Sequence, residues 1–354
     1  MADGGCQVLM DWNLEHYVMA VTASLPGDLD DALDAALRRF APADMARSVQ
    51  DLMRQYRDGV APADVILDSE IDVAAYAGYR MPATFAAVSA ALRHTAELAP
   101  GFLPRSHVDV GGGTGASVWA AARVWESLEK VTVLEQSPKA IAMGEWLAKR
   151  SESSAVRRGQ WKRGVIHKAV DKPAADLVTM SYVLGELPST VQESVVVSLA
   201  ADAEMVVLIE PGTPAGYGRI LAARDVLINH GLSVVAPCPH DRACPILRGR
   251  DWCHFSVRLN RTALHRQIKV GTLSFEDEKF SYVAASRHPW PRAANRVLRH
   301  PTQRKGMVSM RLCTDEHGLT DTIVSKRQRD LYQHARDISW GNQWPPATAE
   351  EQAR

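Results

Sequence analysis

The sequence predicts an α/β fold in which a mostly parallel sheet follows a helical N-terminal domain. Residues 1–99 carry apolar side chains at helical spacing, and from His107 onward short β-branched runs alternate with helical stretches. This alternation is typical of parallel sheets whose strands are connected by helices. We therefore expect a helical domain over residues 1–99, a sheet domain over residues 100–336 and a tail over residues 337–354.

Composition narrows the class of protein before any motif is considered. The chain has 354 residues, of which 46% are hydrophobic and 23% charged, as in ordinary globular proteins. No apolar run approaches the roughly 18 residues that a membrane span needs, so we expect no membrane association. Five cysteines are too few for a disulfide scaffold, and Met1–Tyr17 holds no Lys or Arg. These features predict a cytoplasmic protein without a signal or transit peptide.

Three helices are predicted in the N-terminal domain. Asp28–Phe40 has an acidic first turn and two arginines at its end, an order that suits the helix dipole. Pro42 breaks this pattern, and Ala43–Tyr56 repeats it. Pro82 is predicted to open a third helix, because proline is favoured in the first turn.

The sheet domain shows five strand-like runs in succession, followed by two more that have no helix pattern between them. We expect the last two, Phe280–Ser286 and Met307–Cys313, to pair antiparallel at the sheet edge. The other predicted strands are His107–Val110, Val131–Glu135, Gly164–Lys168, Asp176–Tyr182 and Glu204–Glu210, and the predicted helices are Ser117–Trp125, Pro138–Ser151, Val191–Ala201 and Gly218–His230.

A glycine-rich turn follows the first strand and predicts a nucleotide-type cofactor site. Its spacing, Asp109-x-Gly111-x-Gly113-x-Gly115, resembles motif I of class I S-adenosylmethionine methyltransferases more closely than the G-x-G-x-x-G of dinucleotide-binding proteins. Glycines let the backbone approach a ligand closely and direct amide groups toward it. Glu135, at the end of the next strand, is placed to accept both ribose hydroxyls of an adenosine.

No catalytic residue is recognisable in the sequence. The fourth strand, Asp176–Tyr182, ends where catalytic side chains of such enzymes lie, but it lacks the Asn/Asp-Pro-Pro-aromatic element that grips a base amine. Glu186 is the nearest ionisable group. The sequence therefore predicts a cofactor site without predicting the reaction.

Four of the five cysteines fall after the fifth strand and predict a metal centre. Cys238, Cys244 and Cys253 are spaced C-x5-C and C-x8-C, and Cys313 follows later. Two of them precede proline, as iron–sulfur ligands also do. Zinc is the alternative, with His240 or His254 replacing a thiolate, although paired C-x2-C knuckles are missing. We expect Cys6 to be structural or incidental.

A net charge of zero hides a strong asymmetry along the chain. Residues 1–241 hold 21 Lys and Arg against 30 Asp and Glu, whereas residues 242–336 hold 19 against 8. A basic segment without any acid, bearing one tryptophan, favours nucleic-acid contact over a solvated loop. The predicted RNA-binding residues are Arg287, Trp290, Arg292, Arg296, Arg299, Arg304 and Lys305.

With these residues in view, the chain resembles the methyltransferase-like protein 17 family of small-subunit ribosome assembly factors. The matching stretches cover about Tyr76 to Trp340, and the cysteine block is the most distinctive of them. They are Tyr79–Thr84, Val108–Gly115, Leu184–Leu187, Ile209–Pro214, Cys238–Asp241, Asp251–Ser256 and Arg304–Gly306 leading to Cys313.

The resemblance implies a class I methyltransferase fold that carries a Cys-rich metal-binding insertion around residues 236–256. It implies that Cys238, Cys244, Cys253 and Cys313 hold a [4Fe–4S] cluster, and that Gly111, Gly113 and Gly115 line the S-adenosylmethionine site. It further implies action on the small ribosomal subunit and its 16S-type rRNA, by methylation or by a non-catalytic role in assembly. Without a transit peptide, we expect a bacterial member that is monomeric off the ribosome.

Overall fold

The fold was analysed in a computed structural model that describes residues 22–57, 69–246, 249–260 and 274–346. The N-terminal segment on which the compartment was predicted, together with Cys6, lies outside these residues. Within the described ranges, no helix combines the length and apolarity needed to cross a membrane.

The described residues of the N-terminal part form a two-residue strand, β1 (Thr22–Ala23), and three helices, α1 (Gly27–Leu37), α2 (Pro42–Arg57) and α3 (Glu70–Leu98). The expectation that Pro82 opens a helix is wrong, because Pro82 lies inside α3. That helix starts at a capping box, in which the Ser69 hydroxyl accepts the Asp72 amide hydrogen and the Asp72 carboxylate accepts the Ser69 amide hydrogen. Burial of α3 along most of its length offsets the hydrogen bond that Pro82 cannot donate.

A nine-stranded mixed sheet forms the centre of the molecule, in the order β1-β8-β9-β6-β5-β2-β3-β4, with β7 also paired to β9. The strands β4, β3, β2, β5 and β6 run parallel, and β9 runs antiparallel to β6. The elements are β2 (Ser106–Val110), α4 (Ala116–Val124), β3 (Lys130–Glu135), α5 (Pro138–Ala148), α6 (Ser154–Arg157), β4 (Gln160–Arg163), β5 (Ala175–Ser181), α7 (Ser189–Ala200), β6 (Ala203–Pro211), α8 (Pro214–Asn229), β7 (Ser233–Ala236), β8 (Phe255–Asn260) and β9 (Phe275–Ser286).

A smaller five-stranded sheet follows, in the order β11-β12-β10-β14 with β13 paired to β12. Its elements are β10 (Asn295–Val297), β11 (Thr302–Arg304), β12 (Met307–Thr314), β13 (Gly318–Ser325), α9 (Arg329–Asp337) and β14 (Gln343–Trp344). The predicted pairing of β9 with β12 is therefore wrong, since the two strands belong to different sheets. The continuously buried run Phe280–Ser286 marks β9 as an interior strand rather than an edge.

Helices cover both faces of the large sheet. Side chains of α1–α5 pack on one face in a single core with the strands, and α7 and α8 pack on the other face. The long helix α3 thus shares its core with the sheet, while the domain boundary near residue 99 stays a prediction. The predicted strand Gly164–Lys168 lies slightly earlier, at β4, because Trp161 is the residue that packs into the core.

Candidate functional site

The turn after β2 adopts a backbone that requires glycine. Gly111, Gly113 and Gly115 have φ values of 68°, 54° and 97°, in the left-handed region. A β-carbon on Gly111 would lie 2.6 Å from a methyl group of Val183, and one on Gly115 would lie 2.8 Å from the Trp161 ring. The turn is thus packed tightly at the carboxyl edge of the sheet, where ligands of α/β proteins bind.

Glu135 closes this turn from the neighbouring strand. Its side chain is 9% exposed and accepts hydrogen bonds from the amides of Gly113 at 3.0 Å and Ser137 at 2.8 Å. An ionised carboxylate offers about four lone-pair sites, so acceptor capacity is left for other donors. The structure thus places Glu135 against the glycine turn, and its role toward ribose hydroxyls stays a prediction.

A pocket of about 370 Å³ opens beside the glycine turn, within the range of small-molecule sites. Burial, followed by the charges of Glu135 and Glu210, raises the pKa of Glu186 to about 7. Glu186 therefore titrates near neutral pH inside the pocket. Among the lining residues are Gly111, Glu135, Gly164, Ile166, Val183 and Glu186.

Asp109 lies beneath the turn in a buried hydrogen-bonded chain. The Thr179 hydroxyl donates to Asp109 Oδ1 at 2.7 Å, and His107 Nε2 lies 2.7 Å from the same hydroxyl. Because the hydroxyl hydrogen is used by Asp109, His107 donates to Thr179 as the Nε2–H tautomer. Burial raises the pKa of Asp109 to about 7 and lowers the pKa of His107 to about 3. Asp109 thus joins strands β2 and β5 from below the glycine turn.

Two aromatic residues that the sequence did not single out support the site. Trp161 packs against Gly115 and Gly144, and its indole nitrogen donates to the Gly113 carbonyl at 3.2 Å. Tyr76 of α3 lies over the turn, 4.0 Å from where a β-carbon of Gly113 would be. Gly144 lies in α5 and Trp161 in β4, and no sequence signal links the two positions.

At the end of β5, Tyr182 and Arg80 both contact the carboxylate of Glu278. The Tyr182 hydroxyl donates to Glu278 at 2.9 Å, Arg80 lies 3.0 Å from the same carboxylate oxygen, and its guanidinium covers the Tyr182 ring. Tyr182 itself has a φ of 63°, which is unusual for a residue with a side chain. Tyr182 is therefore held in one orientation beside the pocket.

The four cysteines predicted as ligands line a common cavity of about 40 Å³, although they come from distant parts of the chain. Within the described residues, no three His, Cys, Asp or Glu side chains are arranged closely enough to hold a single metal ion. The structure therefore brings the thiols together but does not show the predicted metal-binding insertion. The cysteines are Cys238, Cys244, Cys253 and Cys313.

Cys313 is buried, and the other three cysteines are half-buried. Burial raises the pKa of Cys313 to about 12 and that of Cys253 well above its ordinary value, and the neighbouring cysteines add to both shifts. The Tyr217 hydroxyl donates to Cys244 Sγ at 3.2 Å. Thiolates in this cavity need positive charge close by.

Two buried arginines, Arg224 and Arg296, line the same cavity. They are 2% and 1% exposed, respectively. Arg296 donates to the carbonyls of Pro237 at 2.9 Å and Gly341 at 2.7 Å. Within the described part of the chain, Arg224 Nε and Arg296 Nη2 are buried without a hydrogen-bond partner. The cavity is thus lined by four thiols and two arginine cations, and each arginine has one nitrogen without a hydrogen-bond partner among the described residues.

The position of Arg296 corrects its predicted role. We expected it to contact RNA, but a side chain that is 1% exposed and bound to backbone carbonyls cannot reach a phosphate in solution. In the sequence it lies in a run of other basic residues, and this context gave no sign of its burial.

The other predicted RNA-binding residues differ in whether their side chains are bound within the protein or exposed to solvent. Arg287 donates to backbone carbonyls, Arg292 pairs with Asp241, and Arg299 pairs with Asp251. The Trp290 ring packs against Phe102 and His288. Arg304 and Lys305, at the turn between β11 and β12, are exposed.

The sheet order and the glycine turn define the class of protein. Five parallel strands lie in the order β4-β3-β2-β5-β6, and the next strand, β9, is antiparallel to β6. This is the Rossmann-like sheet of class I methyltransferases. In the sheet of dinucleotide-binding proteins, the sixth strand is parallel to the others. The chain belongs to the Rsm22 family: residues 70–345 match the family model described as mitochondrial small ribosomal subunit Rsm22.

Individual relatives agree with this membership. Human ribosome assembly protein METTL17, mitochondrial, is 30% identical over 308 residues, which cover 78% of this chain and 65% of that protein. The mitochondrial ribosome assembly protein RSM22 of Saccharomyces cerevisiae is 21% identical over 283 residues, covering 49% of this chain and 44% of that protein. The chain therefore spans less than two thirds of the length of these relatives.

Among solved structures, magnesium protoporphyrin IX methyltransferase from Synechocystis PCC 6803 with bound SAH aligns over 67% of this chain and 94% of that chain. The TM-score is 0.38 and the sequence identity 15%.

The comparisons overturn the expected compartment. We predicted a bacterial, cytoplasmic protein, whereas the human, fission-yeast and budding-yeast relatives are all named as mitochondrial proteins. The expectation rested on the composition of an N-terminal segment that lies outside the described residues.

Proposed function

We propose that this protein binds S-adenosylmethionine and acts on the small ribosomal subunit, by methylating rRNA, by assisting assembly of the subunit, or by both. One observation carries the cofactor part: the glycine turn and Glu135 meet at a pocket of about 370 Å³. Membership of the Rsm22 family supports the ribosomal part.

The residues at this pocket fit S-adenosylmethionine. Glu135 would supply acceptors for the ribose hydroxyls. Gly111 lines the pocket, and because glycine carries no side chain, a ligand there can approach the backbone. Asp109 acts from below by holding strands β2 and β5 together. The proposed cofactor-binding residues are Asp109, Gly111, Gly113, Gly115 and Glu135.

When bound, S-adenosylmethionine supplies the methyl group, and the remaining requirement is a group that accepts a proton from the substrate. Glu186 meets this requirement in the pocket, since its pKa of about 7 lets it hold or release a proton near neutral pH. Glu135 accepts two amide hydrogens and would accept the ribose hydroxyls as well, so its proposed role is to bind the donor rather than to take a proton.

The alternative is a non-catalytic assembly factor that keeps the methyltransferase fold. One observation favours it: Tyr182 and Arg80, at the strand end where catalytic side chains are expected, are both bound to Glu278. In that case the cofactor pocket serves stability or regulation rather than chemistry.

Transfer of a labelled methyl group to small-subunit particles separates the two functions. We expect wild-type protein to label rRNA and two variants to fail, Gly113→Arg, which fills the turn, and Glu135→Gln, which weakens ribose binding. Calorimetric titration with S-adenosylmethionine checks that the variants have lost the donor. Donor binding without methyl incorporation in any assembly state would leave the non-catalytic function.

We further propose that the four cysteines hold a [4Fe–4S] cluster, with zinc as the alternative. Two features support an anionic metal–thiolate centre: the thiols share one cavity, and Arg224 and Arg296 supply two buried positive charges beside them. A buried cation is stable only when it is paired. The Tyr217 hydroxyl and the unused arginine donors would bond to the sulfurs, as polar groups around such clusters do.

A further inference from the structure

One face of the small sheet is exposed to solvent and carries two large apolar side chains. Along β12 and β13 alternate residues point outward, and Met307 and Ile323 on this face are 42% and 62% exposed. Met307 pairs with Ser325, and Ile323 pairs with Ser309, so the two apolar side chains are diagonal neighbours. This leaves an apolar area on a face that has no covering layer in the described part of the chain.

Basic residues surround one end of this face. Arg304 and Lys305 lie in the turn between β11 and β12, and the segment beginning at Lys326 follows β13. The two turns touch, because the Lys326 amide donates to the Gly306 carbonyl at 2.8 Å. The five exposed cations of this end, here called the basic sheet end, are Arg304, Lys305, Lys326, Arg327 and Arg329.

These cations differ from the arginines of residues 287–299. In that segment Arg292 and Arg299 pair with acids, and Arg296 is buried. Among the described residues, none of the five cations of the basic sheet end has an acid within salt-bridge distance. Asp321, which lies on the same face, faces Arg311 at 3.4 Å. The basic sheet end therefore carries charge that no acid among the described residues neutralises.

We propose that the basic sheet end binds the phosphate backbone of small-subunit rRNA, with Met307 and Ile323 packing against riboses or bases. The inference rests on the proposed ribosomal function and names the surface that it uses. Closely spaced cations repel one another, and a polyanion removes that repulsion while releasing its own counterions. RNA is favoured over a protein partner because five adjacent positive charges match a row of phosphates.

Substitution of four cations tests the proposal. In Arg304→Ala/Lys305→Ala/Lys326→Ala/Arg327→Ala, we expect affinity for small-subunit particles and for naked 16S-type rRNA to fall by at least about 100-fold near 0.1 M salt. The slope of log affinity against log salt should decrease by about three, because each phosphate contact contributes nearly one unit.

A matched control removes four exposed cations that lie in or near β3, α5 and α6, outside the small sheet. They are Lys130, Lys139, Lys149 and Arg158. This variant loses the same charge and should keep the wild-type salt slope. If the fourfold variant does not fold, the milder variant Arg304→Gln/Lys305→Gln serves as the test. It should show about half of the expected change in salt slope.

Each outcome has a defined meaning. Unchanged affinity and slope in both test variants, with wild-type protein binding normally, would overturn this inference and leave the proposed function intact. Loss of particle binding with unchanged binding to naked rRNA would show a protein partner and overturn the RNA assignment. Failure of wild-type protein to bind particles would overturn the proposed function and the inference with it.

Discussion

Arg296 and Cys313 are direct neighbours across the antiparallel strands β10 and β12. Their side chains line one buried cavity, and from there Arg296 reaches the carbonyls of Pro237 and Gly341. One guanidinium thus joins the loop after β7, the small sheet and the segment before β14. This relationship makes the cysteine cavity a junction between the two sheets.

Replacing Arg296 should affect folding rather than RNA binding. Arg296→Met leaves two buried carbonyls without donors and removes one cation from the cavity, so we expect a loss of about 2–5 kcal/mol in the free energy of unfolding. Urea denaturation measures the loss. Arg292→Met is the matched control, and its partly exposed pair with Asp241 should contribute less than about 1 kcal/mol. Equal effects of the two substitutions would contradict the structural role.

Loss of one cysteine should destabilise the junction and ribosome association together. The four thiols come from the segment between β7 and β8 and from β12, so a metal centre would tie both sheets, and its binding energy would be folding energy there. We expect Cys253→Ser to be less soluble and to bind small subunits weakly, whereas Cys6→Ser should behave as wild type.

The identity of the metal is checked on anaerobically purified wild-type protein. A [4Fe–4S] cluster on thiolates gives an absorption band near ~400 nm together with bound iron. A colourless protein with stoichiometric zinc would show that the centre binds zinc rather than iron. Protein that is equally soluble with and without the cysteines, and that holds neither metal, would disprove the metal centre.

The buried pair of Asp109 and His107 should give stability a distinctive pH dependence. Between pH about 4 and 7 the folded state keeps a proton on Asp109 that the unfolded state releases, so the contribution of Asp109 to stability falls as pH rises. Between pH about 3 and 6.5 the unfolded state protonates His107 and the folded state does not, so the contribution of His107 falls as pH drops. In the overlap the two slopes oppose each other.

Single substitutions should separate these slopes. Relative to wild type, Asp109→Asn should gain stability from pH 4 to pH 8, on the order of 4 kcal/mol, because the ionisable group is gone and the Thr179 bond is kept. His107→Gln should show the reverse trend and gain most at pH 4. Unfolding by urea across this pH range measures both, and two profiles parallel to wild type would contradict the assigned pKa shifts.

The sequence by itself determined the features that depend on local geometry. The glycine turn was predictable because glycine is the residue that readily takes the positive φ needed at three alternate positions, and Glu135 followed because the end of the neighbouring strand lies beside the turn. The strands β2, β3, β5 and β6 and the helices between them were predicted to within a few residues from hydrophobic pattern and turn residues.

Only the tertiary structure decided which distant residues meet. The burial of Arg296, the placement of β9 inside the large sheet and the start of α3 well before Pro82 all depend on packing that no local pattern reports. The same holds for charge: Arg299 pairs with Asp251, whereas Arg304 is exposed and has no acid within salt-bridge distance among the described residues. The local sequence does not show which partner a charged side chain has, because that partner often comes from a distant part of the chain and is brought near only by folding.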